Sequence, residues 1–147
     1  MSSPQDNIEK LANYMHELEK NSTDIELLKQ TVVLTADLLY VNAMNAFTEL
    51  EDKVKVLTCA VAQNASNKVI TKAFVAVIKT KEKACTFGNA LKSLVKTSTQ
   101  EIGNDSPEVL AATMKADSFS NAEAKAFCVI MKAAMDAKAG MDAKNKD

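Results

Sequence analysis

Three sets of side chains in this chain are of the right type to do chemistry. His16, the one histidine, shares its stretch with Glu9, Glu17 and Glu19, a mixture that elsewhere binds metals or relays protons. Glu49, Glu51 and Asp52 cluster in "ELED", as paired carboxylates do where one serves as acid and another as base. Cys59, Cys85 and Cys128 are the only thiols, potential nucleophiles, ligands or disulfide partners.

None of the three sets carries a complete pattern. A ferritin-like di-metal centre needs two Glu-x-x-His units with further glutamates, and the lone His16 forms no such unit. The "ELED" carboxylates splay over different faces of any helix and have Lys53 and Lys55 nearby, which reads as a solvated face. The cysteines lie singly in apolar stretches with no C-x-x-C pair, so zinc and thioredoxin-like readings lack support. They are expected to be buried free thiols acting as small hydrophobes. Around a turn near residue 65, Cys59 and Cys85 would stand about 20 Å apart along the helix axis at 1.5 Å per residue, beyond disulfide reach; pairing with Cys128 stays open. No glycine-rich loop follows a strand, so phosphate cradles are missing. No catalytic residue, metal ligand or cofactor is assigned, and the chain is expected not to be an enzyme.

Charge and composition narrow the partners. The formal net charge is −1, and all eighteen basic residues are lysine. Without arginine the chain lacks the planar fork that reads guanine and clamps phosphates, so nucleic acid is not an expected partner. The longest weakly charged stretch, 30–48, contains Asp37, Asn42 and Asn45 and makes a poor membrane span. The amino terminus is polar and lacks a signal-peptide apolar region. A native start at Met1 favours the cytoplasm, whereas the sequons at Asn21 and Asn64 would matter only on export.

Three glycines and two prolines in 147 residues point to helix, because sheet folds need more turn glycines. Ser3 before Pro4 starts a first helix whose apolar face is Ile8, Leu11, Met15 and Leu18. Thr23 and Glu26 form a capping box for the second. From Ile25 to Val61 an apolar stripe keeps an average step of 3.6, predicting one helix over 24–63 or two in-phase halves hinged between Asn42 and Asp52. A third helix, capped at Ser66 or Asn67, runs through Gly88 to Ile102 and stops at Gly103. Gly88 lies within the stripe, which suits a close helix–helix approach. Its one interruption is at Lys81.

"GNDSPE" ends that helix and starts a fourth, with Ser106 as cap and Pro107 in the first turn. The fourth runs to about Ala116. "SNAE" from Ser120 is a second capping box, opening a fifth helix that ends near Gly140. The expected fold is therefore all-α: an antiparallel bundle of about five helices with a long central helix and a long helical hairpin. It forms one domain over 1–140, followed by a frayed tail over 141–147.

With no chemistry assigned, apolar surface becomes the candidate for function. "KAFVAVIK" (72–79) and "KAFCVIMK" (125–132) share framing lysines and "AF", and each fits helical spacing. Val75 points nearly opposite Ala73 and Val77, so the fifth helix or a second subunit should cover it. Phe74, Val75, Val77, Ile78, Phe127, Ile130 and Met131 are the candidate interaction surface. The expected function is a non-catalytic helical interaction or assembly protein, acting on a protein partner or as a homo-oligomer. The alternative is a carrier that holds a lipid or other apolar small molecule in its bundle, with seven methionines supplying adaptable packing.

Overall fold

The computed structural model describes residues 4–20 and 24–145. Four helices account for nearly all of them: α1 (Pro4–Lys20), α2 (Ile25–Ala62), α3 (Asn67–Glu101) and α4 (Pro107–Asn145). Among the described residues there is no strand, and no helix is long and apolar enough to cross a membrane.

The all-α expectation holds, with four helices in place of about five. The correction falls at "SNAE", where α4 runs unbroken through Ser120 and on to Asn145. A capping box is a local device, and here a longer pattern overrides it. Val109, Ala112, Ala116 and Phe119 are buried before the box, and Ile130, Ala133 and Ala137 after it. All seven fall on two positions of one seven-residue repeat, so a break would throw half of them out of phase. Gly140 is likewise helical, and a Cβ there would make ordinary contact with Val61. Met141 packs against the core and α4 extends to Asn145; Lys146 and Asp147 lie outside the described residues.

α2 is one helix of 38 residues, so there is no hinge between Asn42 and Asp52. Asn42 and Thr48, polar residues within that span, donate to the carbonyls of Leu38 and Met44 in the preceding turn. Ala36, Ala43, Leu50 and Leu57 recur every seven residues, Val32, Ala46 and Ala60 fall on a second position of the same repeat at every other turn of it, and all seven are buried. In α3 the series is Ile70, Val77, Ala84, Leu91 and Ser98, with Ala73 and Thr80 alongside. The buried period is thus 3.5, the repeat of helices packed knobs-into-holes, not the straight-helix 3.6 read from α2. Thr80 replaces Lys81 in the stripe, and its buried hydroxyl is satisfied by donating to the Ala76 carbonyl at 2.9 Å.

More than half of the buried apolar side chains are alanines: Ala36, Ala43, Ala46, Ala60, Ala73, Ala84, Ala112, Ala116, Ala133 and Ala137. The helix ends are built from short polar residues. Asp24 caps α2, its Oδ1 accepting the Leu27 N–H at 3.1 Å; the expected cap Thr23, like Ser3 and the Asn21 sequon, lies outside the described residues. Ser66 caps α3 through the Val69 N–H at 3.3 Å, after Asn64 turns the chain with φ 56°. Gly103 ends α3 with φ 109°, a left-handed geometry that glycine adopts without Cβ strain. In α1, Ile8 and Met15 are half-exposed while Asn7, Leu11, Tyr14 and Leu18 are partly covered, so Leu11 and Leu18 hold the expected face and Asn7 and Tyr14 take the places that the apolar spacing gave to Ile8 and Met15.

The chain divides into two compact units, residues 1–42 with 87–119 and residues 43–86 with 120–147, so α2, α3 and α4 each contribute to both. In the first unit Phe119 is fully buried and its ring lies over Gly88, where any Cβ would collide with it. Gly88 is thus the close-approach glycine its place in the stripe suggested. Lys92 sets its ammonium 5.3 Å from the same ring centroid, within cation–π range, and Lys115 pairs with Asp37 at 3.1 Å. In the second unit Leu50, Leu57, Ile70, Val77, Ile130 and neighbouring alanines form one core cluster, with Phe47, Val54, Phe74 and Ile78 packed against it.

Candidate interaction surface

The chemistry-bearing residues are scattered over the helices. His16 is solvent-exposed, with Glu19 4.0 Å away as its ion-pair neighbour. Glu49 turns to α3 and meets Lys83 at 3.3 Å, while Glu51 and Asp52 are exposed, so "ELED" splays as its spacing requires. Among the described residues no three His, Cys, Asp or Glu side chains gather as a metal-holding group. None of the three cysteines is in a disulfide; Cys59 and Cys128 are exposed and Cys85 is partly covered, which corrects the expectation of buried thiols. The Cys85 thiol donates to the Glu123 carboxylate at 3.3 Å.

One carboxylate has a distinctly shifted proton affinity. The Ser106 hydroxyl donates to Glu108 Oε2 at 2.6 Å. That bond, a backbone N–H and, more weakly, Lys29 hold the Glu108 carboxyl below its ordinary range. Glu108 lies in the first turn of α4, where a negative charge also favours the helix dipole. The arrangement is a helix start rather than an acid–base site.

Both units expose large apolar side chains, among them Val41, Leu110 and Met114 in the first and Val75, Phe127, Val129, Met131 and Met135 in the second. Of the seven candidate residues, Val77 (0% exposed) and Ile130 (6%) are core, not surface; both fall on the buried seven-residue repeat. Phe74 and Ile78 are half-buried against that core. Val75 (42%), Phe127 (52%) and Met131 (46%) are exposed. The helix bearing "KAFCVIMK" packs through Ile130 with Ala73 and Val77, the opposite side of α3 from Val75, so it does not cover Val75 as anticipated.

Two features were missed in the sequence. Met135 is 67% exposed and continues the line of Phe127 and Met131 at four-residue steps. A 3–4 spacing does mark it: Ala124, Cys128, Met131 and Met135 form a second stripe on α4, away from the buried one. The other feature is a cleft of about 200 Å³ between α2 and α4, lined by Phe47, Leu50, Val54, Ala126, Val129 and Ile130 with Glu51 and Lys125 at hand. Phe47 and Val54 lie on α2, whose apolar spacing predicts a helix but not which neighbour it faces. The second unit thus presents an apolar helix face and an apolar cleft. No family model, curated protein or solved structure matches this chain.

Proposed function

We propose that the protein is a non-catalytic helical interaction or assembly module acting through the apolar helix surfaces of its second unit. The observation that carries this reading is the second apolar stripe of α4. Phe127, Met131 and Met135 are about half or more exposed on a helix whose other side is already committed to the core. A helix apolar on two sides normally has neighbours on both. Scattered surface hydrophobes need no explanation, but a continuous run of them marks an interaction site. The cleft beside Val129 has the size of one large apolar side chain, as expected where a partner helix inserts an anchor.

Carriage of an apolar small molecule is the second reading, favoured by that same cleft. Its ≈ 200 Å³ is below the ~300–1,000 Å³ of ordinary ligand pockets, so loading would require the helices to part. Native mass spectrometry of the purified chain separates the readings: a subunit multiple or stoichiometric complex supports interaction, and a co-purified small mass supports carriage. Replacing Phe127 and Met131 together by Glu is expected to abolish association while leaving helicity intact. Association that persists unchanged in that variant would overturn the interaction reading.

A further inference from the structure

The interaction reading leaves the partner unnamed, and the details of α4 narrow it. Resting on that reading, we propose that the occupant of the second stripe is another copy of this chain, with the two α4 helices parallel. Ala124 and Met131 are seven residues apart, as are Cys128 and Met135, so the four occupy the two seam positions of a heptad repeat. All four are exposed. They lie on the far side of the helix from Ile130, Ala133 and Ala137, so pairing would leave the core undisturbed.

Self-pairing suits this seam because a two-fold parallel arrangement sets each residue against its own copy. The seam itself carries no charge, and each of the four residues meets an apolar equal. Direction follows from the flanks. Lys125 and Lys132 each follow a seam residue, and Phe127 precedes one. In an antiparallel pair Lys125 would face Lys132 of the second copy, twice, with like-charge repulsion. In a parallel pair Phe127 comes beside Lys132 of the second copy, twice, an aromatic–ammonium contact that Lys92 and Phe119 already make within one chain. The next seam position is Lys138, which would confront itself and so ends the pairing. A seam of three turns makes a small interface, so weak, concentration-dependent dimers are expected.

The test uses the full chain with Cys59, Cys85 and Cys128 changed to Ser and Ala124 changed to Cys, after circular dichroism shows that it folds. Mild oxidation should yield a reducible dimer, because parallel copies bring position 124 against itself. Antiparallel pairing would separate the two by about 16 Å along the axis, beyond disulfide reach, and would instead cross-link only a mixture of Ala124→Cys and Met135→Cys chains. Sedimentation equilibrium of the unmodified chain, which needs no cysteine changes, should show a dimer that Met131→Glu weakens at least about tenfold.

A dimer indifferent to Met131→Glu, or the antiparallel cross-link, would overturn the proposal. So would a monomer at every concentration up to the sub-millimolar range. That last result would leave the broader interaction reading intact with a foreign partner, so the two can fail separately.

Discussion

Phe119 and Phe127 stand eight residues apart on one helix and have opposite fates. Phe119 is fully buried in the first unit, and Phe127 is 52% exposed in the second. Neither hydrophobicity nor helix propensity separates them. The difference lies in what the neighbouring helix offers: Gly88 leaves a hollow into which the Phe119 ring settles, and Phe119 falls on the seven-residue series shared with Ala112 and Ala133. Phe127 is one residue past Ala126, the position at which that series continues. An aromatic ring is buried or exposed according to its phase and to the glycine opposite, and the residue type alone decides neither.

That comparison can be broken by mutation. Phe119→Ala should cost about 3–5 kcal/mol of stability, the usual loss for a buried aromatic, measured by urea unfolding. Gly88→Ala should cost about 2 kcal/mol, overpacking near the top of its range less the helix-propensity gain of alanine. The same change made in the Phe119→Ala background should be neutral or mildly stabilising, because the ring it strikes is gone. Additive losses would refute the ring-in-hollow account. Phe127→Ser should shift unfolding by less than about 0.5 kcal/mol, as befits an exposed side chain, while lowering any self-association seen by sedimentation. A large stability loss there would mean that Phe127 belongs to the fold.

The smallest expected effect concerns protons at the start of α4. Glu108 has a lowered folded-state pKa, first through Ser106. Its contribution to stability is therefore present above the unfolded carboxylate pKa and lost as pH falls through the folded value. Ser106→Ala should raise the Glu108 pKa in an NMR titration and flatten the acid limb of the stability curve. The exposed stripe of α4 contains no carboxylate between Ala124 and Met135, so self-association should not follow that titration.

Much of this was legible before any coordinates. The glycine within the α3 stripe, the stop at Gly103 and the helix starts at Ser66 and Ser106 all follow from local rules, whereas the spacing in α2 suits one helix or two in-phase halves equally. The misreadings share one cause. "SNAE" is a sound capping box, and Gly140 a plausible terminator, but both sit inside a heptad series that only packing reveals. Val77 and Ile130 were taken for surface because period alone cannot say which apolar face a neighbour takes. The exposure of Cys59 and Cys128 was hidden similarly, since apolar sequence neighbours do not make a residue buried. The exposure of Phe127 and Met131 was readable, whereas the α2–α4 cleft depends on which helices meet.

The alanine-built interior also bears on how the chain freezes. An alanine has no rotamers to lose, whereas burying a longer side chain costs up to ~2 kcal/mol of conformational entropy. With Ala36, Ala43, Ala46, Ala60, Ala73, Ala84, Ala112, Ala116, Ala133 and Ala137 in the core, ordering here falls mainly on the backbone. Such an interior has few side-chain torsions through which to redistribute strain. An added methyl must displace a whole helix rather than turn a side chain, so sequence drift in this protein should favour exposed positions and resist enlargement inside.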